Sequence, residues 1–215
     1  MQELQELSLA RKFALEKLGS AGGCHDFDHT LRVLANAEML LKELPEADGF
    51  TVRMAVLLHD IARPDEDASN GRVCHASLGQ EYAASYLKSR DFPAELTASI
   101  CSAVRRHRYR GNDYPQSLEE KIVFDADKLD SLGAVGVGRA FLFAGKCGAR
   151  LHNSQQEALS NPPYSLEDTA YREYLVKLRK LPGVILTLPA RRIAEERLKV
   201  MQEFFANLCS ETGIE

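Results

Sequence analysis

The sequence lacks the features that mark membrane proteins, secreted proteins and zinc fingers. No apolar run approaches the ~20 residues that a membrane-spanning helix needs, and the charged, amphipathic N-terminal segment does not resemble a secretory signal. The five cysteines are scattered and form no CxxC pair, which excludes a zinc finger and a disulfide framework. We therefore expect reduced thiols, a cytoplasmic location and no membrane partner.

The sequence also lacks a large net charge of either sign and the alternating pattern of β-strands. The formal net charge is only −4, so a broad basic surface for a nucleic-acid polymer is not expected. Alternation typical of a β-strand is nearly absent, and the short segment 183–188 is the only candidate. The chain has no internal repeat, and its length of 215 residues suits a single domain over residues 1–215.

What the sequence does contain is helical periodicity, which predicts an all-α fold. A capping box at Ser117 and Glu120 predicts one helix start. A glycine-punctuated stretch at 133–138 follows that helix, and the polar segment 150–163 is predicted to be an exposed loop. The predicted helices cover residues 3–18, 28–44, 50–62, 75–89, 93–107, 117–132, 165–181 and 187–208.

Two ionisable residues, His59 and Asp60, lie in the middle of the most apolar predicted helix, "AVLLHDIA". Burying an adjacent imidazole and carboxylate is unfavourable unless each finds a partner or a cation. Adjacent helical side chains point about 100° apart, so these two do not readily pair with each other. Both can reach one ion beside the helix, and we favour a metal over a His–Asp pair satisfied within the core.

A second apolar helix, in "KIVFDADKLDSLGAVGVG", carries three aspartates. Asp127 is the candidate metal ligand, and Asp125 or Asp130 could orient the ligands without binding the metal themselves. The alternative is an exposed acidic face that Lys121 and Lys128 neutralise.

Three of the remaining histidines lie at the ends of predicted helices, and His152 lies in the predicted loop at 150–163. His29 opens the helix at 28–44, and His25 lies four positions earlier. Asp26 and Asp28 beside them are candidates to cap this helix and to orient the ligand. Imidazoles and carboxylates without thiolates suit Mn, Fe, Ni, Zn or Mg.

Taken in order, these residues form the pattern H…HD…D, flanked by "CHDFDHTLRVL" and "DADKLDSLGAVGVGRAF". The pattern resembles the HD superfamily of metal-dependent phosphohydrolases, in its small single-domain bacterial branch. The resemblance covers roughly residues 20–145 and implies an HD-domain helical bundle, with a C-terminal helical extension at about 160–210.

The resemblance also implies a set of site residues and a cofactor. One or two divalent ions (Mn, Mg, Ni, Fe or Zn) are expected, and Asp60 would bridge two. The implied metal ligands are His29, His59, Asp60 and Asp127. Asp60, Lys128 and His25 are expected to take part in catalysis. The residues expected to contact the substrate are His75, His107, Arg63, Arg106 and Lys128. The two histidines of this set could instead bind a second metal.

The expected reaction is the attack of metal-activated water on phosphorus in a small phosphorylated substrate, which we predict to be a nucleotide. Cleavage of a nucleoside triphosphate to monophosphate and pyrophosphate is the specific prediction. A di-iron oxygenase and a non-catalytic nucleotide-binding regulator are the alternatives. Substrate selection is assigned to the loops 63–74, 108–117 and 150–164, and the oligomeric state, including a homodimer, stays open.

Overall fold

The computed structural model describes residues 2–19, 26–108 and 113–213. These residues form eleven α-helices and one 3₁₀-helix and contain no β-strand, so the predicted all-α fold is confirmed. Tertiary contacts divide the chain into two compact units, Met1–Asp127 and Lys128–Glu215. The prediction of one domain across both units stays a prediction.

The first unit is organised around its most apolar helix. Its helices are α1 (Gln2–Leu18), α2 (Phe27–Glu43), α3 (Gly49–Leu58), α4 (Arg63–Ala68), α5 (His75–Ser89), α6 (Ala94–Arg106) and the greater part of α7 (Leu118–Leu129). Helix α3 packs against α1, α2 and α6, and α5 packs along α6. Most residues of α3 are buried, as expected for a helix that is apolar on every side. The predicted end at residue 62 was wrong, because α3 ends at Leu58 and residues 59–62 form a turn.

The starts of two helices follow the sequence signals. At α2, the Asp26 carboxylate accepts the backbone N–H of His29 at 2.9 Å, which confirms Asp26 as the cap, whereas Asp28 is exposed in the first turn. At α7, Ser117 Oγ accepts the N–H of Glu120 at 3.2 Å, and the Glu120 carboxylate accepts the N–H of Ser117 at 3.4 Å. The predicted capping box is therefore confirmed.

The second unit is also helical. It contains α8 (Gly133–Lys146), α9 (Gln155–Ser160), α10 (Ala170–Val176), a 3₁₀-helix (Leu178–Val184) and α11 (Leu188–Thr212). Helix α8 packs against α10 and α11. Across the described parts of the chain, no helix is both long and apolar enough to cross a membrane.

The sequence pattern does not predict helix α8, because glycines interrupt the periodicity at 133–138. Gly133 starts the helix at φ +71°, a conformation that glycine adopts without strain. At Gly136 a Cβ atom would lie 2.3 Å from the carbonyl oxygen of Ser131. These glycines permit a tight turn and a close backbone approach, and burial of Val137 and Ala140 offsets their low helix propensity.

Three predicted boundaries in the loops and the C-terminal part were wrong. The predicted loop at 150–163 contains α9, which begins with a capping box between Ser154 and Glu157. The predicted helix at 165–181 is split into α10 and the 3₁₀-helix, in which Pro182 has no N–H to donate. The strand candidate at 183–188 forms the end of that 3₁₀-helix, an irregular connection at 185–187 and the first residue of α11.

The predicted loop at 63–74 was also wrong in part, because its first half forms α4. Pro64 lies in the first turn of this short helix, where the missing N–H costs no hydrogen bond. Arg63 and Glu66 lie three residues apart on one face of this helix, and their side chains form an ion pair.

Candidate metal centre

The end of α3 places the first of the candidate ligands. His59 follows the last residue of α3, and its Nδ1 lies 2.7 Å from the carbonyl oxygen of Val56. A carbonyl only accepts hydrogen bonds, so Nδ1 carries the proton and Nε2 keeps its lone pair. His107 ends α6 in the same way, with Nδ1 2.6 Å from the carbonyl oxygen of Val104. Both histidines therefore cap a helix end through Nδ1 and direct Nε2 toward another imidazole of the site.

A first ligand group consists of His29, His59 and Asp127, whose candidate ligand atoms lie within 4.8 Å of one another. His29 Nε2 lies 3.3 Å from His59 Nε2 and 3.3 Å from Asp127 Oδ1. Both histidines are buried, and the Asp127 side chain is 14% exposed. The ligand atoms come from α2, from the end of α3 and from α7.

A second ligand group consists of Asp60, His75 and His107, which also lie within 4.8 Å of one another. His75 Nε2 lies 3.1 Å from His107 Nε2 and 3.3 Å from Asp60 Oδ1. All three residues are buried. His75 is the first residue of α5, so α5 and α6 supply the two imidazoles.

Asp60 lies between the two groups and faces each with a different oxygen. Its Oδ2 atom lies 3.6 Å from His29 Nε2 and 3.7 Å from His59 Nε2. Its Oδ1 atom lies 3.3 Å from His75 Nε2 and 3.5 Å from His107 Nε2. A carboxylate has two oxygens and can bind two cations at once, so this geometry suits a bridging ligand.

The chemistry of the converging atoms fits a divalent cation. Nε2 of His59 and Oδ2 of Asp60 are both acceptors and lie 3.7 Å apart, so they repel each other unless positive charge lies between them. Burial lowers the pKa of His59 to about 4 and also lowers the pKa of His75. These two imidazoles are therefore neutral at pH 7, the state in which imidazole binds metals.

Arg63 lies directly beside the carboxylate of Asp60. Its Nε atom is 3.1 Å and 3.2 Å from the two oxygens of Asp60, and its Nη1 atom donates to Glu66 at 2.7 Å. Burial opposes the charge of Arg63, but the carboxylates of Asp60 and Glu66 raise its pKa above the ordinary value. The prediction that Arg63 contacts the substrate is untested, and the structure brings this residue to the site.

Arg106 does not join either ligand group. Its guanidinium donates to Asp113 at 2.9 Å and to Glu120 at 2.9 Å. The next arginine on this segment, Arg108, contacts Glu66 and lies with Nη1 3.0 Å from His75 Nδ1. Of the arginines near His107 that the structure describes, Arg108 is therefore the one placed at the second ligand group.

The other predicted residues are placed as follows. Lys128 is half-buried and follows Asp127, where the first unit ends. His25 lies outside the described residues. Asp125 is buried in α7, and Asp130 binds Arg139 with an oxygen-to-nitrogen distance of 2.6 Å.

Two residues of the site were missed from the sequence. Glu66 is buried, and its carboxylate lies 2.7 Å from His75 Nδ1. Asn36 is buried on α2, two turns after His29, and donates from its side-chain amide to the carbonyl oxygen of Ala126 at 2.9 Å. This bond fixes α7 against α2 next to Asp127. The position of Asn36 seven residues after His29, on the same helix face, was the available signal.

The fold and these two ligand groups define an all-α protein with clustered histidines and aspartates of the kind that bind divalent metals. A model of the HD domain family matches residues 26–132, a range that contains every member of both groups. The *Bacillus subtilis* protein YpgQ is 31% identical over 212 residues, which cover 97% of this chain and 94% of YpgQ. This chain belongs to the HD domain family, whose domains bind divalent metals.

Solved structures of related proteins show the same fold along nearly the whole chain. *B. subtilis* YpgQ in complex with ADP has a TM-score of 0.74 at 29% identity, covering 98% of this chain and 97% of YpgQ. A predicted HD superfamily hydrolase from an uncultured Thermotogales bacterium has a TM-score of 0.67 at 28% identity, covering 95% and 91% of the two chains. An HD-superfamily hydrolase from *Bacillus thuringiensis* has a TM-score of 0.74 at 25% identity, covering 99% and 100%. The similarity therefore extends to proteins described as hydrolases.

Proposed function

We propose that this protein is a metal-dependent phosphohydrolase that acts on a small phosphorylated substrate, specifically a nucleotide. The observation that carries the proposal is the position of Asp60 between two groups of metal-binding side chains. Paired metal sites that share a carboxylate are typical of enzymes that cleave phosphate esters and anhydrides. The complex of YpgQ with ADP supports a nucleotide as the class of substrate.

In this proposal each ligand group holds one ion. His29, His59 and Asp127 would hold the first, His75 and His107 the second, and Asp60 would bind both. A divalent ion bound here supplies two things, a lower pKa for water and a polarised phosphoryl oxygen. The buried imidazoles of His59 and His75 stay neutral and so remain available as ligands.

Two arginines beside the site supply charge for the substrate. The side chains of Arg63 and Arg108 are 19% and 23% exposed, so each guanidinium also reaches the solvent side of the site. A guanidinium matches the oxygens of a phosphoryl group in charge and geometry. We propose that both bind substrate phosphate, and that Lys128 adds to this charge, as its position in the motif predicts.

The specific reaction that we propose is hydrolysis of a nucleoside triphosphate at the α-phosphorus. The oxygen of water forms a bond to phosphorus, the bond to the bridging oxygen breaks, and nucleoside monophosphate and pyrophosphate are the products. Protons of the attacking water pass to solvent. Arg63 and Arg108 would stabilise the charge that develops on the phosphoryl oxygens.

Metal analysis of the purified protein, followed by a nucleotide panel scored for phosphate and pyrophosphate, tests this proposal. We expect Mn²⁺-dependent release of pyrophosphate that EDTA abolishes. Release of phosphate alone would overturn the specific reaction. Absence of hydrolysis for every nucleotide and every metal tested would overturn the proposed class.

A di-iron oxygenase is the second candidate, because four imidazoles and two carboxylates also suit iron. Oxygen consumption by the iron-loaded protein in the absence of any phosphate release would favour that class. A protein that binds nucleotide and turns nothing over would instead be a regulator.

A further inference from the structure

His75 differs from His59 and His107 in the partner of its second ring nitrogen. His59 and His107 each donate Nδ1–H to a carbonyl of the helix that they end. His75 is the first residue of α5, so no carbonyl of its own helix precedes it. Its Nδ1 atom instead faces a carboxylate oxygen of Glu66 at 2.7 Å and Nη1 of Arg108 at 3.0 Å.

These two neighbours of His75 favour opposite tautomers. The carboxylate of Glu66 only accepts hydrogen bonds, so it places the proton on Nδ1 and leaves the lone pair on Nε2. The guanidinium of Arg108 only donates, so it places the lone pair on Nδ1 and the proton on Nε2. Only the first tautomer can bind an ion at Nε2, the atom that faces Asp60 and His107.

We propose that Glu66 is the positioning residue that fixes the metal-binding tautomer of His75 and prevents Arg108 from stabilising the other tautomer. The shorter distance is the one from Nδ1 to Glu66, and the other oxygen of Glu66 binds Arg108 directly. Arg63 donates to the same carboxylate, so Glu66 also aligns the two guanidiniums at the site. This inference rests on the proposed function, because it assumes that the second ligand group holds an ion.

Burial makes Glu66 hard to replace in this role. Glu66 is 7% exposed and His75 is 0% exposed, so water has little access to Nδ1 if the carboxylate is removed. Arg108 would then be the remaining partner of Nδ1 that the structure places there. Removal of the carboxylate should therefore favour the tautomer whose Nε2 carries a proton.

The test compares Glu66→Ala, Arg108→Ala and the double variant by Mn²⁺ titration calorimetry and by metal analysis. In Glu66→Ala we expect binding at the second group to weaken by about 10–100-fold, the range typical of residues that orient a ligand. Arg108→Ala should bind both ions nearly as the unchanged protein does. The double variant should recover part of the loss, because no donor then competes for Nδ1.

A spectroscopic measurement on the Zn²⁺-loaded protein reports the tautomer directly. The ion is needed because Asp60 and His107 also face Nε2 and favour a proton there in its absence. In the protein labelled with ¹⁵N-histidine and loaded with Zn²⁺, the His75 ring should show its proton on Nδ1, with the signal assigned by its loss in His75→Gln. In Glu66→Ala under the same conditions the proton should lie on Nε2. A proton on Nε2 in the loaded, unchanged protein would overturn the inference even if Glu66→Ala failed to fold.

The outcomes separate this inference from the proposed function. If the unchanged protein binds fewer than two ions, the proposed pair of metal sites fails, and the inference fails with it. If it binds two ions and Glu66→Ala binds both with the same affinity, the proposed sites stand and the role of Glu66 is overturned. Equal losses in Glu66→Ala and in the double variant would also overturn it, because Arg108 would then have no competing effect.

Discussion

Acidification should destabilise the metal-free protein through its buried imidazoles, and His59 gives the magnitude. Burial lowers the pKa of His59 from 6.5 to about 4. The unfolded chain therefore binds a proton near pH 6.5, while the folded protein does not until about pH 4. Protonation favours the unfolded state throughout this window, so stability present above pH 6.5 is lost as the pH falls.

The difference between the two pKa values amounts to about 3.4 kcal/mol when the whole window is crossed. Between about pH 7.5 and about pH 5, roughly 2 kcal/mol of it is lost. The lowered pKa of His75 acts in the same direction and adds to the loss. We expect the free energy of unfolding, measured by urea titration in EDTA, to fall by at least this amount.

His59→Asn is the matched control, because asparagine does not titrate. Other groups that titrate in this range do so in both proteins and cancel in the comparison. The variant should lose about 2 kcal/mol less than the unchanged protein between the same two pH values. Equal losses in the two proteins would refute the conclusion that burial keeps this imidazole neutral.

Three further predictions concern the site and the helices that hold it. Asp60→Asn should weaken Mn²⁺ binding at both ligand groups, as measured by calorimetry. The loss in affinity should exceed about 100-fold, the upper end of the range for residues that only orient a ligand. A loss of affinity at one group alone would refute the bridging role. Asp26→Ala should lower the free energy of unfolding by about 1 kcal/mol through loss of the α2 cap, while exposed Asp28→Ala changes it little. Equal effects of these two substitutions would contradict the capping assignment. Gly136→Ala should destabilise by about 1–3 kcal/mol because its Cβ meets a backbone carbonyl, whereas Gly138→Ala has open space and should stabilise by up to about 1 kcal/mol. Chemical unfolding of both glycine variants checks the sign of each change.

The helical part of the fold could be predicted where polarity and helix-end signals agreed. The cap at Asp26 predicts the start of α2, and the apolar run before His59 predicts the start of α3 but not its end, which lies at Leu58 and not at residue 62. Helix α8 could not be predicted in this way, because the role of Gly136 depends on a backbone approach that only the folded chain creates. Helix α9 was missed although Ser154 and Glu157 carry the same capping signal as α7.

The candidate ligands could be proposed from the sequence because ionisable side chains are conspicuous within apolar helices. Glu66 could not be proposed from the sequence, since its partner His75 lies nine residues away. The irregular connection between them has no periodicity that would predict this contact. Nor could the sequence show that Arg108, and not the predicted Arg106, lies beside the second ligand group. This placement depends on where each side chain finds a carboxylate, Glu120 for Arg106 and Glu66 for Arg108.

The histidines that end α3 and α6 tie helix length to the position of a ligand. One residue inserted within α3 would turn His59 by about 100° and move it about 1.5 Å along the axis, away from His29. An insertion at residues 45–47, before the helix begins at its Asp48 cap, leaves this register intact. Related chains that keep these ligand groups should therefore vary in length at such connections. The lengths of α3 and α6 should stay constant, because the ends of these two helices position His59 and His107.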